Sequence, residues 1–480
     1  MQKSRSGQVI LIIVLLICIQ SAYGQSITQR LIQAVKQFEA DPQMRHAIFS
    51  LYVADAKTGK KVFGHNEQIG LAPASTQKIF TSAAAFELLG KNYTYKTELA
   101  LGGKIDNQVL KGHLYIIGNG DPTLGSWRYR DTKEEQILNK WTDAVKSEKI
   151  QRIEGGVFAY VSGNKWSTAT IPDGWIWQDI GNYYGAGADA VNWRENQYDL
   201  VLRSGNKTGD SVYIVTTRPK LFNIELECEV KTGAKSSGDN AYIYLAPHAT
   251  SGTVRGTIPP GEKEFVISGS YPNPALQLAL TLSEKLRQAQ VQVKPYSETS
   301  LIDTSIFSQF RGTSTSPKVI ATHNSPPLDS INHYFMRRSI NLYGEALVKT
   351  IALEKEGFAD TEKGIGILRD FWSALGIEKS AIQITDGSGL SPQNRVTTGS
   401  EVKVLQYAKT RPWFQSFYNA FPEYNGMKMK SGSIGGARAY TGFHTAKDGK
   451  EYLFSIIVNN YDGSAGEVVK KMYKVLDVLK

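Results

Sequence analysis

A run of eleven apolar residues, Val9 to Ile19, is the only long apolar stretch in the sequence, and it lies at the extreme N-terminus. With no second such run, a multi-span membrane protein is excluded, and everything after it must fold by burying a mixed, periodic pattern. The run is preceded by Lys3 and Arg5 and followed by Ala22-Tyr23-Gly24, with small residues where a signal peptidase reads. It is short of the roughly 20 residues needed to span a bilayer. Residues 1–24 therefore read as a cleaved secretory signal, with the mature chain starting at Gln25.

Export then shapes the reading of charge and cysteine. The chain has 55 Lys and Arg against 45 Asp and Glu, a balance that suits an anionic wall or envelope surface better than nucleic acid once the protein leaves the cytoplasm, and that a generally solvated basic surface fits equally well. Of the two cysteines, Cys18 goes with the signal and Cys228 is left alone, so it reads as a packed small hydrophobe and not as half of a disulfide. The seven histidines form no pair at ligand spacing and there is no cysteine cluster, so no metal and no cofactor are expected.

At 480 residues the chain has room for about three domains. Ile27 to Phe38 carries apolar residues at helical spacing, and Ala47 to Val53 reads as a strand turning at Lys57-Thr58-Gly59-Lys60. The C-terminus mirrors this, with strands from Ala439 to Ala446 and Tyr452 to Val458 and a last helix striped by Val468, Met472, Val475 and Leu479. Both ends are thus expected to build one layered domain. Between them, Asn196 to Gly269 breaks into short alternating runs separated by Gly, Ser, Lys and Asn turns, a small all-β module. It is flanked by a buried strand at Leu114 to Ile117 and an amphipathic helix from Leu276 to Ala289.

The sharpest chemical signal is Pro73-Ala74-Ser75-Thr76-Gln77-Lys78. Pro73 opens a helix, and Ser75 and Lys78 lie one turn apart on one face, so the amine can reach the hydroxyl. A serine needs a base to take its proton, and a lysine serves only if burial or positive neighbours lower its pKa. Alone the pattern is weak, because Ser400-Glu401-Val402-Lys403 matches it too. Ser339-Ile340-Asn341 at a helix edge and Lys430-Ser431-Gly432-Ser433 ahead of the Ala439 strand also have decoys, among them Lys57, Lys207 and Lys231 for the lysine motif. Order selects between them: only Lys430 follows a Ser-x-Asn by a domain-sized interval and leads into a strand whose edge could receive an extended peptide.

Serine, lysine, Ser-x-Asn and Lys-Ser-Gly in this order resemble the penicillin-recognising serine peptidases. Asp386-Gly-Ser-Gly-Leu-Ser391 and Gly118-Asn-Gly-Asp-Pro-Thr-Leu124 are similar to signatures of one branch, the class C low-molecular-mass penicillin-binding proteins, which are D-alanyl-D-alanine carboxypeptidases and endopeptidases. The 261 positions from Lys78 to Ser339 fit that branch, which inserts two domains there.

The resemblance implies an α/β (α+β) fold of the serine β-lactamase and DD-peptidase type, with an antiparallel sheet flanked by helices. Residues 25–95 and 300–480 would form the catalytic domain, 96–192 and 268–299 an inserted second domain, and 193–267 a small inserted β domain.

It further implies that Ser75 attacks the carbonyl between terminal D-alanines with Lys78 as base, and that Ser339 and Asn341 relay the proton. Lys430 would add positive charge that keeps Lys78 neutral. Ser431, Gly432 and Ser433 would bind the terminal carboxylate, with the N–H groups of Ser75 and Ser433 as oxyanion hole. In the insert, Asp179 would meet the free amine of diaminopimelate, flanked by Tyr184. The implied partners are peptidoglycan stem peptides and, as covalent inhibitors, β-lactam antibiotics; the implied location is periplasmic; no oligomeric state is implied. Pro392 departs from the pattern, which often has an arginine after Gly-Leu-Ser. Two other readings stand beside this one: a β-lactamase of the same fold, and a wall-binding protein without catalysis.

Overall fold

The structure is a computed structural model that describes residues 26–161, 165–294 and 317–480. The expected signal at 1–24 lies outside the described residues. Among those residues, no helix is long and apolar enough to cross a membrane.

The two ends of the chain meet in one antiparallel sheet of six strands, in the order Glu423–Tyr424, Met427–Ile434, Ala437–Thr445, Glu451–Asn459, Ile48–Asp55 and Lys61–His65. The central Glu451–Asn459 strand shows why. Tyr452, Phe454, Ile456 and Val458 join one apolar cluster, and Leu453 and Ile457 join another. Successive side chains of a strand point to opposite faces, so a strand with apolar side chains on both faces must be covered on both.

One cover is the pair of terminal helices. Ile27–Glu39 is capped by Ser26 and Gln29 in a reciprocal box and buries Leu31, Val35 and Phe38 against Val468, Met472 and Val475 of Ala465–Leu476. The other cover is a helical layer that includes Lys78–Leu88, Leu328–Arg337, Asn341–Glu356 and Thr398–Lys409. Every residue from Lys78 to Phe86 is buried, as befits a helix at the centre of a layer.

The stretch between is built differently. Lys96–Asp106 and Val109–Gly118 form the hairpin of a second sheet, flanked by the helices Glu134–Ser147 and Pro274–Gln288. Gln197–Arg203, Tyr213–Arg218 and Phe265–Ser270 make a third sheet, and four short strands between Glu225 and Ile258 make a fourth. A single apolar cluster runs through all three, and Cys228 packs against it, burial pushing its thiol pKa up.

One boundary differs from expectation. Lys318–Asn324, placed by sequence in the 300–480 segment, pairs antiparallel with Lys96–Asp106 and so extends the second sheet. A strand's partner depends on long-range register, which its own side-chain pattern does not carry.

Candidate active site

Ser75 sits in a 3-10 turn, Ala74–Gln77, that precedes the Lys78–Leu88 helix; the expected continuous helix from Pro73 instead opens with this tighter turn. Ala74 has a φ of 49°, a left-handed conformation that costs a non-glycine residue about 1–3 kcal/mol and is kept where the surroundings enforce it. The enforcement is visible in two glycines. A Cβ on Gly432 would lie 2.3 Å from the Pro73 carbonyl oxygen, and one on Gly389 2.0 Å from that of Ala74. Both neighbouring segments thus approach the turn as only glycine permits.

Lys78 is fully buried. Its Nζ lies 3.0 Å from Ser75 Oγ, 2.6 Å from Asn341 Oδ1 and 2.7 Å from the Ser388 carbonyl oxygen. The last two can only accept. A neutral amine directs its two N–H bonds at them and turns its lone pair to the Ser75 hydroxyl, the geometry a general base needs. Burial lowers the Lys78 pKa to about 7, while Asp386 and Glu345 oppose the shift.

Ser339 lies between the helices Leu328–Arg337 and Asn341–Glu356 with a φ of 57°, which turns its hydroxyl toward Lys430. Lys430 Nζ donates to Ser339 Oγ at 3.0 Å and to the Ser431 carbonyl at 2.7 Å. Burial, and then the charge of Lys78, hold the Lys430 pKa well below the ordinary lysine range. The expectation that Lys430 keeps Lys78 neutral is thereby modified, since burial is the first cause for both amines.

The Lys-Ser-Gly motif lies inside a strand, Met427–Ile434, and not ahead of one. The expected receptive edge shifts accordingly: Ala437–Thr445 is interior, and among the described residues Met427–Ile434 is flanked on its outer side only by the two-residue strand Glu423–Tyr424. Ser433 borders a cleft of about 660 Å³ together with Ser75, Ser339 and Asn341. The decoy pair stays apart: Ser400 Oγ donates to the Thr397 carbonyl, and Lys403 Nζ to that of Gly376.

The family model described as D-Ala-D-Ala carboxypeptidase 3 (S13) family matches residues 31–478. The chain belongs to that family. With membership come the activity in the family's description and the class C low-molecular-mass penicillin-binding grouping. A D-alanyl-D-alanine carboxypeptidase of Actinomadura sp. (strain R39) is 26% identical over 460 residues, covering 88% of this chain and 80% of the relative. DacB of Haemophilus influenzae, of the same description, is 24% identical over 433 residues, covering 85% and 84%. The crystal structure of penicillin binding protein 4 (dacB) from Haemophilus influenzae superposes with a TM-score of 0.75 at 20% identity, covering 92% of this chain and 98% of that one. That likeness shows the fold.

In this S13 chain the stretch between the two terminal segments reaches the cleft, where Asp179 and Tyr184 border the same space as Ser75. Burial pushes the Asp179 pKa up, and the neighbouring Tyr184 works against that rise. The segment carrying them is tied down by one helix. Asn341 Nδ2 donates to the Tyr184 carbonyl at 2.7 Å, and Lys349, two turns further on, donates to the carbonyls of Ala169 and Ala188 at 2.6 and 2.9 Å. Trp175 is buried, whereas Trp177 is half exposed.

Three groups have no counterpart among the sequence-derived site residues. The Ser388 carbonyl is one. Asp386, which holds that loop, accepts from the N–H groups of Gly389 and Ser391 and from Trp175 Nε1. Lys349 is the third. Asp386 and Ser388 left a signal as members of one recognised motif, although that motif does not single out the Ser388 carbonyl; Lys349 left none.

Proposed function

We propose that the chain hydrolyses D-Ala-D-Ala bonds of peptidoglycan stem peptides, and D-Ala-diaminopimelate cross-links of the same chemistry, through an acyl-enzyme on Ser75. The observation that carries the reading is the placement of Lys78 Nζ among Ser75 Oγ, Asn341 Oδ1 and the Ser388 carbonyl. Lys78 takes the Ser75 proton as Oγ bonds to the carbonyl carbon of the penultimate D-alanine. The N–H groups of Ser75 and Ser433 receive the developing oxyanion. As the C–N bond breaks, the leaving amine takes a proton delivered through Ser339, whose hydroxyl Lys430 holds. Water then adds to the acyl carbon, the C–O bond to Ser75 breaks, and the hydroxyl regains its proton.

Ser431 and Ser433 bind the terminal carboxylate, and Asp179 with Tyr184 reads the side-chain amine of the preceding residue. β-Lactams enter the same sequence and stop at the acyl-enzyme, because the ring amine stays attached. The site of action is the periplasm, reached by the signal at 1–24.

The test is D-alanine release from a stem pentapeptide together with labelling by a fluorescent penicillin. Wild type should do both, and Ser75→Ala, in a folded protein, neither. Persistent labelling of the variant would reject Ser75 as nucleophile. Rapid turnover of penicillin with no peptide cleavage would favour a β-lactamase.

A further inference from the structure

Where it borders the cleft, the strand pair Met427–Ile434 and Ala437–Thr445 presents one charged group that the proposed reaction leaves unused. Arg438 stands directly opposite Ser433 in the register of Met427–Ile434 with Ala437–Thr445. Residues so paired share a face of the sheet, and both border the cleft beside Ser75. Arg438 Nη1 donates to the carbonyls of Ile434 and Ala437, at 2.9 and 2.6 Å, and the guanidinium carbon lies 5.7 Å from the Tyr461 ring centroid.

These contacts occupy both N–H bonds of Nη1 and fix the plane over the Ile434–Ala437 turn. A guanidinium has five N–H donors, and the edge formed by Nε and Nη2 has no hydrogen-bond partner among the described residues. That edge is the two-pronged face that matches a carboxylate. Arg128, on the same cleft, is by contrast spent on Glu195 at 2.9 Å, whereas Arg438 makes no ion pair among the described residues. Pro392, also on the cleft rim, offers no charge of its own.

We propose that Arg438 is the carboxylate fork of this site: its Nε and Nη2 edge, beside Ser433, receives the C-terminal carboxylate of the peptide. The proposal rests on the peptidase reading and adds the residue that selects a free C-terminus over a neutral one.

The experiment compares two acylated substrates, one ending in D-Ala-D-Ala and one in D-Ala-D-alaninamide, as a ratio of kcat/KM within each preparation. A ratio is indifferent to how much of the protein is folded. A charge-assisted hydrogen bond to the acid is worth about 10- to 150-fold, so wild type should prefer the acid by at least 10-fold. Arg438→Gln should bring the ratio close to one by slowing the acid, Arg438→Lys should restore part of it, and Arg338→Gln, on the same rim, should leave it intact. Equal losses on both substrates in Arg438→Gln would show a group that merely shapes the turn and would overturn the proposal, as would collapse of the ratio in Arg338→Gln alone. A wild type that cleaves acid and amide equally would overturn it while leaving the peptidase reading standing. One that cleaves neither would remove both.

Discussion

The terminal segments and the stretch they enclose bury different things. Around Lys78–Leu88 and Asn341–Glu356 the fully or almost fully buried side chains include Lys78, Glu345, Lys349, Asp386 and Lys430. The cluster running from Leu99 to Val293 is aliphatic and aromatic, and the carboxylates buried near it, Asp121 and Glu195, serve turns and an arginine. Taking an ion out of water costs several kcal/mol even after relaxation, and the terminal half bears that cost repeatedly in one place. Glu345 illustrates the result: burial, with Asp386 adding to it, pushes its carboxyl up to about 8. The difference teaches that the ends of the chain bury the charged groups of the cleft, while the stretch between them supplies part of its wall.

The comparison breaks most visibly at Lys78. Lys78→Ala removes the proposed base, and acylation by benzylpenicillin should fall about 10²- to 10⁴-fold, measured by stopped-flow or quenched labelling. A loss under 10-fold would put the base elsewhere.

Lys430→Ala should cost about 100-fold or more in acylation, the scale of a positioned electrostatic group. In wild type the acylation rate should rise with pH through about 7, as Lys78 loses its proton. Where Lys430 carries its proton, deleting it takes away a nearby cation, so the Lys78 pKa goes up and the acidic limb moves to higher pH. An unmoved limb would show that burial alone sets the base.

Asp179→Asn tests the wall. It should lose about 10- to 150-fold of kcat/KM on a peptide with a free side-chain amine, yet leave benzylpenicillin acylation nearly unchanged, because that ligand has no such amine. Equal losses would assign the residue to the shape of the cleft.

The smallest effect is expected furthest from the buried charges. Cys228→Ser, half-buried at the edge of the insert's cluster, should leave both acylation and peptide cleavage within about two-fold and cost stability on the scale of a modest core change. A large loss of activity would couple the insert's core to the chemistry.

How much of this was legible in the sequence follows from the kind of information each feature needs. Alternation and helical spacing announced the terminal strands and helices, and motif order picked Ser75, Lys78, Ser339, Asn341 and Lys430 from among their decoys, because those are side chains with identities. The Ser388 carbonyl is a main-chain group that any residue could present. Arg438 matters through its register opposite Ser433, and Lys318–Asn324 through its partner strand. Both depend on pairings that no local pattern encodes. The left-handed turns at Ala74 and Ser339 were invisible for the opposite reason, since surroundings impose them against local preference.

The most direct test of the central claim is to map the covalent adduct. Benzylpenicillin-treated protein, digested and sequenced by mass spectrometry, should carry one penicilloyl group per chain, on Ser75, and a competing stem peptide should diminish it. An adduct on Ser400 or any other residue, or no adduct in protein shown to be folded, would contradict the assignment of Ser75 and Lys78 as nucleophile and base.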